Sequence, residues 1–235
     1  MENKDILLCR YKYIVLYLFF LLFIYPMWKY LFHRMKTVIT PVPGQELIMK
    51  KYPNKYSNTS PLGLIGFGFT TLMLSFANVT LFKLNSMIIG LGIFYGGMAQ
   101  FVAGVYELKK GNTFNGTAFC SFGAFWLSFC TMVIGSPFLG VPPPDHKAEG
   151  IYLLFWAIFT GFMFLGTIKH GHITIKLIFF TLAITFLILA IGAFTESGTV
   201  TKVGGGFGFV CGGIAFYTAV VEVINGEQGY TFMPI

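Results

Sequence analysis

Charge is what this 235-residue sequence lacks: Asp, Glu, Lys and Arg together make up 11% of it. A soluble domain carries about 25% charge to keep its surface wet, so a soluble enzyme is a poor reading of the chain. Within the long apolar runs there is no central Lys or Arg to hold an anion by full charge, and no central carboxylate of the proton-pump kind. The four cysteines, Cys9, Cys120, Cys130 and Cys211, have neither metal nor redox spacing, and three of them fall in apolar runs as small packing residues. His170 and His172 stand two apart, which is no helical metal pair, and His33 and His146 have no evident partner. Gly204-Gly205-Gly206-Phe207-Gly208 has no βαβ context and no lysine placed to reach a phosphate. The expectation is therefore a protein without metal, cofactor or enzymatic activity.

Apolar residues are what the chain has in excess, at 55% of the total with 28 phenylalanines. They gather into six uncharged stretches, 61–82, 84–106, 111–144, 151–168, 177–195 and 203–221. About 20 residues rising 1.5 Å each cross the ~30 Å hydrocarbon layer with every backbone hydrogen bond satisfied inside the helix. The third stretch is too long for one span, and its proline-rich end, 135–144, reads as a loop, placing the helix at 113–134. The fold class is an all-α polytopic membrane protein of six transmembrane helices, with residues 58–235 as the membrane domain.

Residues 1–57 form a separate apolar segment and linker. Residues 13–28 are apolar and aromatic, with basic residues on both flanks and no small-residue cleavage site after them. Two readings stand for this additional membrane-associated segment, a tilted span and an interfacial helix. Residues 40–60 read as an extended linker.

Lysines give the orientation. Lys50, Lys51, Lys55, Lys109, Lys110, Lys169 and Lys176 fall on one set of loops, and only Lys83, Lys147 and Lys202 on the other. Basic loops stay in the cytoplasm, so both the segment before Pro61 and the C-terminal tail are expected there. The net charge of +7 is then an orientation signal and needs no nucleic acid as partner.

Small residues tell how the helices pack. Gly204, Gly208 and Gly212 repeat every four residues in the sixth helix, and Gly92 and Gly96 do so in the second. Such a ridge lets a neighbouring helix or subunit approach closely, though glycine also widens a pore. Polar groups in or beside the spans are few: Asn78, Gln100, Glu107 and Glu222, the two acids being read as interfacial anchors. Asn58, Thr59 and Ser60 are suited to capping the first helix and Pro61 to its first turn, leaving free N–H groups at its positive end.

Asn58-Thr59-Ser60-Pro61-Leu62-Gly63-Leu64, Gly66-Phe67-Gly68, Gly92-Ile93-Phe94-Tyr95-Gly96-Gly97-Met98-Ala99-Gln100 and Lys110-Gly111-Asn112-Thr113-Phe114 closely resemble the acetate uptake transporter family, the succinate–acetate permeases of bacteria and their yeast relatives. Thr117-Ala118-Phe119, Phe125-Trp126-Leu127, Gly166-Thr167 and Glu222-Val223 continue the match, which runs from Asn58 to about Tyr230. The resemblance implies a six-helix subunit of a homo-hexamer, each subunit with its own path for small monocarboxylates such as acetate, and in some members succinate; the plasma membrane is its default host, with an organelle membrane as the alternative that the N-terminal segment leaves open. It implies a substrate site at Asn58, Thr59, Pro61 and Leu62, and an apolar constriction of Phe67, Phe122 and Leu182. Two positions depart from the family pattern: Phe122 stands where a tyrosine is common, and Thr59 where the signature has proline.

A hydrated anion must shed water to pass such a constriction, whereas a small acid that travels with a proton need not. Carboxylate transport, proton coupled or channel-like, is the leading expectation. Ammonia or ammonium export fits an apolar gate as well, and a structural or sensory membrane protein without flux is the third class.

Overall fold

The computed structural model describes residues 57–169, 172–228 and 234. These lie in one compact unit, Ile48–Ile235. The N-terminal segment 13–28, most of the linker, Cys9, His33 and His170 fall outside the described residues. Six helices are long and apolar enough to cross a membrane. They are α1 (Ser60–Asn78), α2 (Ser86–Lys109), α3 (Thr113–Leu139), α4 (His146–Thr167), α5 (Ile173–Thr195) and α6 (Gly198–Gln228). The protein is an integral, multi-pass, all-helical membrane protein.

Four of the six starts have a local cause. Asn85 caps α2 by accepting from Met87 N–H, Asn112 caps α3 through Asn115 N–H, and Asp145 caps α4 through Ala148 N–H at 2.7 Å. Pro61 occupies the first turn of α1, where its missing N–H leaves no carbonyl unpaired. Left-handed Gly140 (φ 64°) closes α3, and Glu196 (φ 53°) closes α5. Helices α4 and α5 begin earlier than the apolar stretches, at His146 and Ile173, because Lys147, Glu149 and Lys176 belong to interfacial first turns. Helix α3 continues to Leu139, past the expected end at residue 134 and through Pro137, before Gly140 turns the chain.

The six helices close into a ring. Helix α1 packs on α2 and α6, α6 on α5, α5 on α4, and α2 on α3. The α3 and α4 backbones barely meet, and aromatic rings bridge them: Phe122 lies 5.6 Å from Phe159, and Phe125 lies 5.2 Å from Trp156, between ring centroids. Large rings therefore fill the space where this seam meets the lumen.

Helix α2 departs from a plain helix, because Gly92–Ala99 is wound as a π-helix. Wider π turns push backbone carbonyls toward the neighbours, and glycines receive them. A Cβ at Gly66 on α1 would stand 2.7 Å from the Tyr95 carbonyl oxygen, and one at Gly123 on α3 would stand 2.9 Å from that of Gly97. The ridge on α6 also packs within the chain: Gly204 meets Leu189 of α5, Gly208 meets Ser75 of α1, and Gly212 meets Gly68 and Leu72 of α1. Gly92 faces Cys130, while Gly96 lies between Thr70 and Trp126. Cys130 and Cys211 are buried and Cys120 is half-buried, all as free thiols.

Candidate functional site

Two cavities lie end to end inside the ring. The larger, of about 570 Å³, begins among His146, Glu149 and Glu196 at the end where α4 and α6 start, and runs inward past Thr71, Ser75 and Thr185. The smaller, about 30 Å³, holds roughly two waters' worth of space and is lined by Ser60, Gln100, Asn115 and Phe179, among others. Phe67 and Leu182 line both cavities, and Phe122 lines the smaller. The three side chains, from α1, α5 and α3, are 5%, 3% and 3% exposed. Phe122 is held in place by rings on several sides, Phe67 at 5.7 Å, Trp156 at 5.9 Å and Phe179 at 6.2 Å. The structure thus puts a thin apolar partition between a wide vestibule and a narrow inner chamber.

Gln100 is the residue that sequence reasoning noted but did not place in the site. It follows directly on the π segment of α2, is 1% exposed, and lines the small chamber. Among the described residues, neither its Nε2 nor its Oε1 has a hydrogen-bond partner. A buried amide left unpaired costs about 1–3 kcal/mol, a cost that a ligand offering both a donor and an acceptor removes. The signal in the sequence was its isolation, as an amide well inside a span.

At the other end of the chamber, the capping string does more than cap. Asn58 Oδ1 accepts from Ser60 N–H at 3.1 Å, while Asn58 Nδ2 donates to Glu222 Oε2 at 3.3 Å. Thr59 occupies the cap position of α1 without capping it; its hydroxyl donates instead to Glu107 Oε1 at 2.5 Å. Glu107, 2% exposed, also accepts from Asn112 Nδ2 at 2.8 Å and pairs with Lys110. The acid read as an interfacial anchor is therefore a buried knot tying the starts of α1 and α3 to the end of α2. Lys109 stacks over the Tyr106 ring instead of joining it. Pro61 is buried, whereas Leu62 is 41% exposed and lines neither cavity. Ser60 is the member of the string that reaches the chamber wall.

The sequence model of the GPR1/FUN34/yaaH family matches residues 40–235. The chain belongs to this family. As a GPR1/FUN34/yaaH protein it is 44% identical over 182 residues to the succinate-acetate/proton symporter SatP of Escherichia coli, covering 77% of this chain and 96% of that protein. It is 39% identical over 186 residues to the ammonia transport outward protein 2 of Saccharomyces cerevisiae, covering 75% of this chain and 65% of the yeast protein. A solved structure described as that of the bacterial acetate channel SatP superposes with a TM-score of 0.75 at 42% identity, covering 77% of this chain and 99% of the channel.

Proposed function

We propose that this GPR1/FUN34/yaaH protein moves acetate and other short-chain carboxylic acids, succinate among them, across a membrane, with Phe67, Phe122 and Leu182 as the gate. The observation that carries the reading is the unpaired Gln100 amide beside that gate. Its N–H donates to a carboxyl oxygen and its carbonyl accepts from a carboxyl O–H, so it holds the substrate's carboxyl group, ionised or protonated, beside the gate. A bare charge is costly in an apolar constriction without a paired charge there, so a proton accompanies each anion. Among the described residues, no lysine or arginine lines either cavity to supply a paired charge.

The vestibule collects the substrate, the gate admits small dehydrated acids, and Asn58 receives the carboxylate at the far end, the Thr59 hydroxyl being held by Glu107. Phe122 gives this gate no hydroxyl, so selection there rests on size alone. Lys109, Lys110, Lys169 and Lys176 support a cytoplasmic Asn58 end and C-terminus, with the vestibule opening to the opposite side; the plasma membrane as host rests on the family resemblance. Exposed apolar side chains such as Phe94, Phe155 and Val210 face lipid or neighbouring subunits of a homo-hexamer.

The test is labelled acetate flux into liposomes holding the purified full chain, with protein-free liposomes as background. Saturable uptake inhibited by other short acids is expected. Methylammonium movement unaffected by acids would instead favour ammonium export, the activity in the name of the yeast relative. Neither flux would leave a structural or sensory role.

A further inference from the structure

Two carboxylates sit at the Asn58 end of the path, and the structure treats them differently. Glu107 is locked: it pairs with Lys110 and accepts from Thr59 and Asn112. Its negative charge is balanced within the knot. Glu222, on α6, has no lysine, arginine or histidine within ion-pair distance among the described residues. It accepts from a neutral amide, Asn58 Nδ2 at 3.3 Å, and Ser60, which lines the inner chamber, also faces it. Among the described residues, the ionisable groups acting on it from the packed elements are His172, at the start of α5, and Glu107, on α2; the start of α1 presents Ser60, with Asn58 just before it.

Resting on the transport reading above, we propose that Glu222 is the proton-binding residue of this protein: its carboxylate stands in for a substrate carboxylate on Asn58, and its protonation hands that amide to the substrate. In the empty site, Glu222 Oε2 accepts from Asn58 Nδ2. One proton from solution bonds to that oxygen and makes a carboxylic acid, which no longer serves as the anionic acceptor. The freed Asn58 N–H then donates to the carboxylate of the arriving substrate. One anion and one proton enter together, so the charge of the site is the same empty and loaded. Release reverses both events: the anion leaves, the proton returns to water, and Glu222 takes back the amide. Glu107 does not play this part, because protonating its buried carboxylate would break the ion pair with Lys110 and weaken the hydrogen bonds it accepts from Thr59 and Asn112.

The decisive measurement is the half-saturation constant for total acetate exchange in liposomes at equal pH on both sides, from pH 5.5 to 7.5. In the wild-type chain it should rise about tenfold per pH unit, the slope of one proton taken up with each anion. Glu222→Gln holds the site in its proton-loaded form, so its half-saturation constant should stay flat across that range. An acid that simply carries its own proton through would leave the tenfold slope in Glu222→Gln, and that result overturns the inference while leaving the transport reading intact. Should the glutamine variant not elute as folded protein, Glu222→His decides. Its curve should level off below about pH 6.5, where imidazole holds its proton, and a tenfold slope throughout overturns the inference equally. Absence of saturable acetate exchange in the wild-type chain overturns the transport reading and this inference together.

Discussion

Phe67 on α1 and Phe122 on α3 meet with ring centroids 5.7 Å apart and planes tilted by 47°, although 54 residues of chain separate them. Leu182, from α5, joins them at the lumen between the two cavities. Three helices thus contribute to one apolar partition, and any one side chain can be altered without removing the other two.

Leu182→Ala should raise the flux of a three-carbon acid and a four-carbon diacid relative to acetate, because it deletes three carbons where the path is narrowest. Core packing alone predicts instead a loss of about 2–5 kcal/mol of stability and unchanged flux ratios per folded protein. Phe122→Tyr adds a hydroxyl in nearly the same volume and should shift the ratios less. Flux ratios normalised to folded protein decide between the two accounts.

Gln100→Leu should abolish saturable acetate flux while leaving thermal stability equal or higher. Replacing an unpaired buried amide by an apolar side chain of similar size removes a penalty of about 1–3 kcal/mol. A variant that transports normally, or one that melts well below the wild type, would take Gln100 out of the substrate path.

Gly208→Leu should collapse the yield of folded protein, since even a Cβ there would stand 2.6 Å from Ser75 Oγ on α1. A Cβ at Gly206 or Gly213 would meet nothing within 4 Å among the described residues beyond its own stretch of helix. Gly206→Leu should therefore preserve the folded subunit, and where that face meets a second copy it lowers the oligomer mass read by light scattering in mild detergent. Equal behaviour of the two leucine variants would contradict the close approach of α6 to α1.

A tag placed after Ile235 should stay protected from a membrane-impermeant reagent in intact cells and become reactive on permeabilisation. Labelling in intact cells would reverse the sidedness proposed from the lysines, and with it the direction in which the vestibule opens.

What the sequence determined by itself follows from the physics of the bilayer. Backbone groups cannot be left unpaired in lipid, so long uncharged runs have to be helices, and their number and order are legible in composition alone. Ends are less legible, because interfacial turns tolerate charge: Lys147, Glu149 and Lys176 lie inside helices that the apolar runs would have started later. The π winding of Gly92–Ala99 left only its glycines as a trace, since it depends on how α1 and α3 receive carbonyls from α2. The same holds for the site. Gln100 was visible as an isolated amide, but that both of its polar atoms lack partners is a property of the helices around it. Asn58 was visible as a cap residue, yet its link to Glu222, 164 residues away, exists only because α6 returns beside the start of α1. Local chemistry sets which segments are helical; which side chains face one another across the lumen is decided by packing between helices distant in sequence.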